Sequence, residues 1–214
     1  MVNKKEIMLW LRELDYNYKS NNYIIDQKGH INVGGTVYIK QGDLKSLPYK
    51  FGTVTNNFIC RDNKLETLIN FPMKVGGTLD ISENNLTHFD YLPEINGGFD
   101  FSYNGISNLD DFKNKIILDF DCSYNNLTNC NFIYNTNIQG DIYVEGNPIV
   151  ELPEYLNQDL IENKIGKQFL FNEYDNGNIG FKNPSKLKNV VYIGQEMYTR
   201  LQRELKLNQL TEEL

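Results

Sequence analysis

The chain is poor in the residues that usually carry catalysis or bind metal. Its 214 residues include two histidines, three cysteines and one tryptophan. His30 and His88 have no cysteine or histidine nearby at metal-ligand spacing, so no zinc-type motif exists and no cofactor is expected. No Gly-x-Ser-x-Gly elbow, phosphate loop or His-Glu-x-x-His is present. The chain is read as non-catalytic.

Basic residues are also in deficit. With 21 Lys and Arg against 28 Asp and Glu, the net charge is −7 and the pI about 4.9. Nucleic-acid binders normally carry a basic stripe, so direct binding to nucleic acid is not expected. No run of about 18 consecutive apolar residues is available to span a membrane. The start, Met1 to Glu6, leads into a charged amphipathic segment instead of an apolar secretory core, so no signal peptide is expected. An odd cysteine count with no paired framework suits a reducing cytoplasm, the expected location.

What the chain does have is a ladder of asparagines. Asn63, Asn84, Asn104, Asn125 and Asn147 follow one another at intervals of 21, 20, 21 and 22 residues. Each sits at the same place in the order apolar-x-apolar-x-x-Asn-x-apolar, which belongs to solenoids of the leucine-rich-repeat kind. A β-branched column precedes the strand: Val33, Val54, Val75, Ile95, Ile116, Ile138. The two inward strand positions are Val37 and Ile39, Phe58 and Cys60, Leu79 and Ile81, Phe99 and Phe101, Phe120 and Cys122, Ile142 and Val144. Cys130 falls in a later apolar column, so all three thiols are expected to act as small buried hydrophobes. The first turn departs from the pattern, with Gly42 in the asparagine position.

Each column has a physical reading. The apolar-x-apolar pair is a short strand showing one face inward, and stacked copies pair as a parallel sheet. No single turn buries its own apolar side; neighbours complete the core. An inward amide after the strand satisfies backbone groups where the chain turns sharply, so the asparagines are read as structural. The fold class is an α/β repeat solenoid, leucine-rich-repeat-like, with a parallel sheet of about six short strands. An N-terminal helical cap is expected over residues 1–32, a solenoid of six turns over 33–153 and an α+β C-terminal cap over 154–214. Within the first cap, Asn3 and Glu6 suggest a capping box opening a helix from about Lys4 to Asp15. Within the last, helices are expected at 153–163 and 195–210, with a hairpin around Asp175-Asn176-Gly177.

The outward strand column holds the candidate binding residues. It reads Tyr38, Ile59, Asp80, Asp100, Asp121 and Tyr143, so three aspartates are expected on adjacent strands, with Asp119 and Asp141 extending the acidic patch. Like charges in line about 4.8 Å apart cost stability, and a patch held at that cost invites a basic protein partner. Ser82, Ser102, Ser123, Glu83, Tyr103, Tyr124 and Glu145 flank it, a composition suited to contacts. Two other readings stay open: a merely solvated face that keeps the sheet soluble, and a divalent cation bridging Asp100 and Asp121. A sheet face offers few oxygen ligands for the latter.

The repeats also resemble a family. Phe71-Pro72-Met73-Lys74-Val75-Gly76-Gly77-Thr78-Leu79-Asp80-Ile81-Ser82-Glu83-Asn84-Asn85-Leu86-Thr87 and Asp121-Cys122-Ser123-Tyr124-Asn125-Asn126-Leu127-Thr128 are similar to the degenerate leucine-rich-type repeats encoded by tailed bacteriophages. The lead-in, with Trp10-Leu11 and Leu47-Pro48-Tyr49-Lys50-Phe51-Gly52, is similar too. The resemblance covers about Lys4 to Pro153. It implies an interaction module that intercepts a host or defence protein inside an infected bacterium. A sharper reading of the acidic face is inhibition of such a protein, for example a CRISPR or nucleic-acid-processing enzyme, by offering carboxylates where that enzyme expects phosphates. Two alternatives are a structural or assembly component of a virion, and an enzyme with its site in the C-terminal unit at Glu173, Tyr174 and Asp175. The oligomeric state is not legible.

Overall fold

Each repeat lays down two short strands, so the chain winds as a parallel β-solenoid with about 21 residues per turn. The computed structural model describes residues 3–15, 17–39 and 42–149, with the backbone of two further strands at 169–172 and 192–193. Its elements are α1 (Lys4–Leu14), β1 (Asn22–Ile25), β2 (Ile31–Gly34), β3 (Val37–Tyr38), β4 (Phe51–Val54), β5 (Phe58–Ile59), β6 (Lys74–Val75), β7 (Leu79–Asp80) and β8 (Glu94–Ile95). There follow β9 (Phe99–Asp100), β10 (Lys115–Ile116), β11 (Phe120–Asp121), α2 (Phe132–Asn135), β12 (Asn137–Ile138), β13 (Ile142–Tyr143), β14 (Phe169–Asn172) and β15 (Tyr192–Ile193).

One sheet runs β3-β5-β7-β9-β11-β13-β14-β15, parallel throughout. Its first six strands span about five turns and use the apolar-x-apolar positions. The sheet is longer than the six strands expected, because β14 pairs in parallel with β13 (Ile142↔Phe169) and β15 with β14. The expected hairpin turn, its second arm, both C-terminal helices and Glu173, Tyr174 and Asp175 lie outside the described residues.

The β-branched column that precedes the strands forms a second sheet. It runs β1-β2-β4-β6-β8, with β10 and β12 as a separate pair, and its inward residues are the β-branched column from Val33 to Ile138. β2 and β4 also bury Ile31 and Phe51, but β6, β8, β10 and β12 are two residues long and contribute one inward side chain each, too short a run to show period two in sequence. The corner between the sheets brings successive turns close together. A Cβ on Gly97 would lie 2.5 Å from the Gly77 carbonyl carbon, so glycine is required there.

Both inward strand columns are fully buried, and phenylalanines form a spine between turns. Phe101 and Phe99 meet Phe120 of the next turn at 5.3 and 6.0 Å between ring centres, while Phe51–Phe58 (5.1 Å) and Phe120–Phe132 (5.4 Å) fill single turns. Cys60, Cys122 and Cys130 are buried free thiols in this core. Such contacts between turns supply the apolar burial that one turn lacks.

The N-terminal end is closed by side chains. Asn3 caps α1, accepting from Glu6 N while its Nδ2 donates to Glu6 Oε1 at 2.5 Å, and Ile7 and Leu11 are buried on the underside. Past the helix, buried Asp15 accepts from Tyr38 N (2.9 Å), Asn17 N (3.0 Å), Asn21 Nδ2 (2.9 Å) and the Tyr23 hydroxyl. Asn17 and Asn21 both donate to Thr36 O, at 2.9 and 2.8 Å. Asp15 also bridges Ile39 in antiparallel fashion. The outer backbone groups of β3, which another turn would otherwise pair, are thus taken by the cap.

Candidate functional site

Two ladders of identical side chains run along the solenoid, one inside and one outside. Inside, each asparagine amide ties two turns together. Asn84 Nδ2 donates to Ile81 O and Ser82 O of its own turn and to Cys60 O of the turn before, all within 3.1 Å, while its Oδ1 accepts from Leu65 N at 2.9 Å. Asn125 repeats this with Cys122 O, Ser123 O, Phe101 O and Ile106 N, and Asn104 and Asn147 likewise. Asn63 reaches Gly42 N. A carboxylate would have only acceptors to offer and an aliphatic side chain neither group, which accounts for asparagine here.

Outside, the register aligns Tyr38↔Ile59↔Asp80↔Asp100↔Asp121↔Tyr143 on successive strands, all half-buried. Asp80 and Asp100 each accept from the backbone N–H and the hydroxyl of the serine two residues on, Ser82 and Ser102, at 2.7–3.1 Å. Asp121 accepts from Ser123 N, whereas the Ser123 hydroxyl donates to Glu145 Oε2 at 2.7 Å. The three serines are themselves buried, so they orient carboxylates and offer little surface to a partner. Burial pushes the Asp100 carboxyl up to about 6; the Ser102 bonds oppose this and the Asp121 and Asp80 charges add to it. Asp121 is also raised, first by burial.

The face is not uniform. At its N-terminal end Arg61 lies 3.8 Å from Asp80 Oδ2 and 5.9 Å above the Tyr38 ring centre. Sequence reasoning missed Arg61; the signal is that it stands two residues after Ile59, on the outward side of the same strand. At the other end, exposed Asp119 and half-buried Asp141 lie in one outward column and Glu145 in another. Asp119 Oδ1 accepts from Asp141 N at 2.9 Å, which also gives Asp119 a role in joining turns.

Beside this face, the residues preceding the asparagines adopt the left-handed conformation: Asp62, Glu83, Tyr103 and Tyr124 have φ of 51–55°, and Gly146 has 65°. Exposed Tyr103 and Tyr124 stack at 4.3 Å with an interplanar angle of 10°. Tyr124 lies on Gly146, where a Cβ would come within 2.3 Å of its ring. Glu83, Tyr103 and Tyr124 are all exposed.

Chemistry is sparse elsewhere. His88 is exposed beside Thr87, and His30 lies 3.3 Å from Asp26. Among the described residues no group of three or more His, Cys, Asp or Glu converges closely enough to hold a metal ion, and no helix is long and apolar enough to cross a membrane.

A two-sheeted parallel β-solenoid with an acidic outward face is the class these features define. No protein-family model, curated protein or solved structure that was compared matches the chain.

Proposed function

We propose that this is a non-catalytic, leucine-rich-repeat-like interaction protein that holds a partner with a basic surface against its acidic outward face. The observation that carries this reading is the register: Asp80, Asp100 and Asp121 face outward on three adjacent strands, held there by serines at the expense of mutual repulsion. Asp80 has Arg61 beside it, whereas no lysine or arginine among the described residues pairs with Asp100 or Asp121, and a basic partner would supply the missing charge. The resemblance of the repeats to phage-encoded ones supports a protein made inside an infected bacterium that inhibits a host or defence enzyme. Three buried free thiols are compatible with the host cytoplasm.

The test is capture of partners from a bacterial lysate, comparing the wild type with Asp80→Lys/Asp100→Lys/Asp121→Lys. The triple variant is expected to lose at least about tenfold of the captured partner, as charge pairs at interfaces predict. Undiminished capture would remove this face from consideration. Recovery of the chain in purified phage particles would favour the assembly role.

A further inference from the structure

The outward face contains one guanidinium and shows how it is held. Arg61 sits over the ring of Tyr38 and beside the carboxylate of Asp80, one strand away on either side. Tyrosine supplies a π face and aspartate an acceptor, the two groups that a flat, weakly hydrated cation uses together. Further along the sheet the same two groups are adjacent: Asp121 and Tyr143 are register partners on β11 and β13, with β14 beyond. Asp119, Asp141 and Glu145 surround them, and no lysine or arginine among the described residues pairs with any of these four carboxylates.

We propose that Tyr143 and Asp121, with Asp119, Asp141 and Glu145 around them, form a docking site for an arginine side chain presented by a basic partner protein. This rests on the reading of the face as protein-binding and identifies where on it the partner's cation sits. Charge complementarity selects the occupant. The carboxylates are spread across three outward columns and do not converge as a cage. A compact metal ion would find too few oxygens at one point, whereas a guanidinium has five donors spread in a plane. Asp121 stands beside Tyr143 in the register, and after burial the charges of Asp119, Asp141, Asp121 and Glu145 in that order hold the Tyr143 phenol up. Arginine is favoured over lysine because the ammonium is strongly hydrated and makes no planar stack.

The experiment is an NMR titration of the full chain, following tyrosine ring and carboxylate signals. The probes are the peptide acetyl-Gly-Arg-Gly-Arg-Gly-amide and its lysine counterpart of equal charge. Saturable shifts are expected at Tyr143 and its neighbouring carboxylates with the arginine peptide, and weaker binding with lysine. Tyr143→Ala should weaken the arginine peptide about two- to fivefold, with Tyr143→Phe close to wild type. Asp121→Asn, which keeps the side-chain shape, should also weaken it. Equal binding of both peptides, or no change in Tyr143→Ala, overturns the site. Partner capture separates the two readings. If the triple lysine variant loses the partner and Tyr143→Ala keeps it, the acidic face stands and the arginine site falls; if both keep it, both fall.

Discussion

The asparagine and aspartate ladders are built alike and differ energetically. Both repeat about every 21 residues, both run along one parallel sheet, and their side chains differ only in an amide against a carboxylate. Inside, each asparagine matches two kinds of orphan backbone group and every rung supports the next. Outside, each aspartate accepts from the serine two residues on in its own turn and has a like charge on a neighbouring strand, and only Asp80 has a cation, Arg61, on the turn before. Stacking identical residues therefore stabilises when the group donates and accepts, and costs stability when it only accepts.

Reciprocal exchange of the two groups tests this most severely. Asn125→Asp removes the donors to Phe101 O, Cys122 O and Ser123 O and sets a carboxylate against them. It should cost about 3 kcal/mol or more in urea denaturation. Asp121→Asn, the opposite change on the outer ladder, should leave stability unchanged or improve it.

A smaller effect concerns the middle rung. Because the folded-state pKa of Asp100 is raised to about 6 from an ordinary 3.8, protonation favours the fold. Well below 3.8 the carboxyl is neutral in both states and the penalty vanishes; it builds up as pH rises from there to about 6 and is fully present above. Asp100→Asn should accordingly be more stable than wild type by about 1–2 kcal/mol at pH 7.5 and equal to it well below pH 3.8. A constant difference across that range would place the charge elsewhere.

The smallest effect lies beside the ladders. Glu83 occupies a left-handed position that Gly146 fills without strain three turns on. Glu83→Gly should gain about 0.5 kcal/mol, set against the flexibility glycine adds to the unfolded chain. Gly146→Ala should lose stability, since the new methyl meets the Tyr124 ring. Thermal melts of the two variants should shift in opposite directions.

The solenoid was legible because its inward columns, such as Phe58 and Cys60 or Leu79 and Ile81, are set by burial, and burial leaves a periodic mark on the sequence. Most strands of the second sheet left only a single β-branched residue, such as Val75 and Ile95, which read equally well as a lead-in. The outward alignment of Asp80, Asp100 and Asp121 followed once the strand period was known. Arg61 did not, since its contacts depend on where a long side chain lies across two turns. Nor did the left-handed backbone at Tyr103 and Tyr124, because nothing in tyrosine marks it and only Gly146 at the corresponding place hints at it.

The closed N-terminal edge determines whether the molecule remains a unit of fixed length. A parallel sheet built from near-identical rungs is a template for another copy of itself, and its first strand is the natural seed for end-to-end fibre growth. By directing Asp15, Asn17 and Asn21 at Thr36 O and Tyr38 N, the cap removes that template at one end. Those three side chains act as an end-stop against polymerisation.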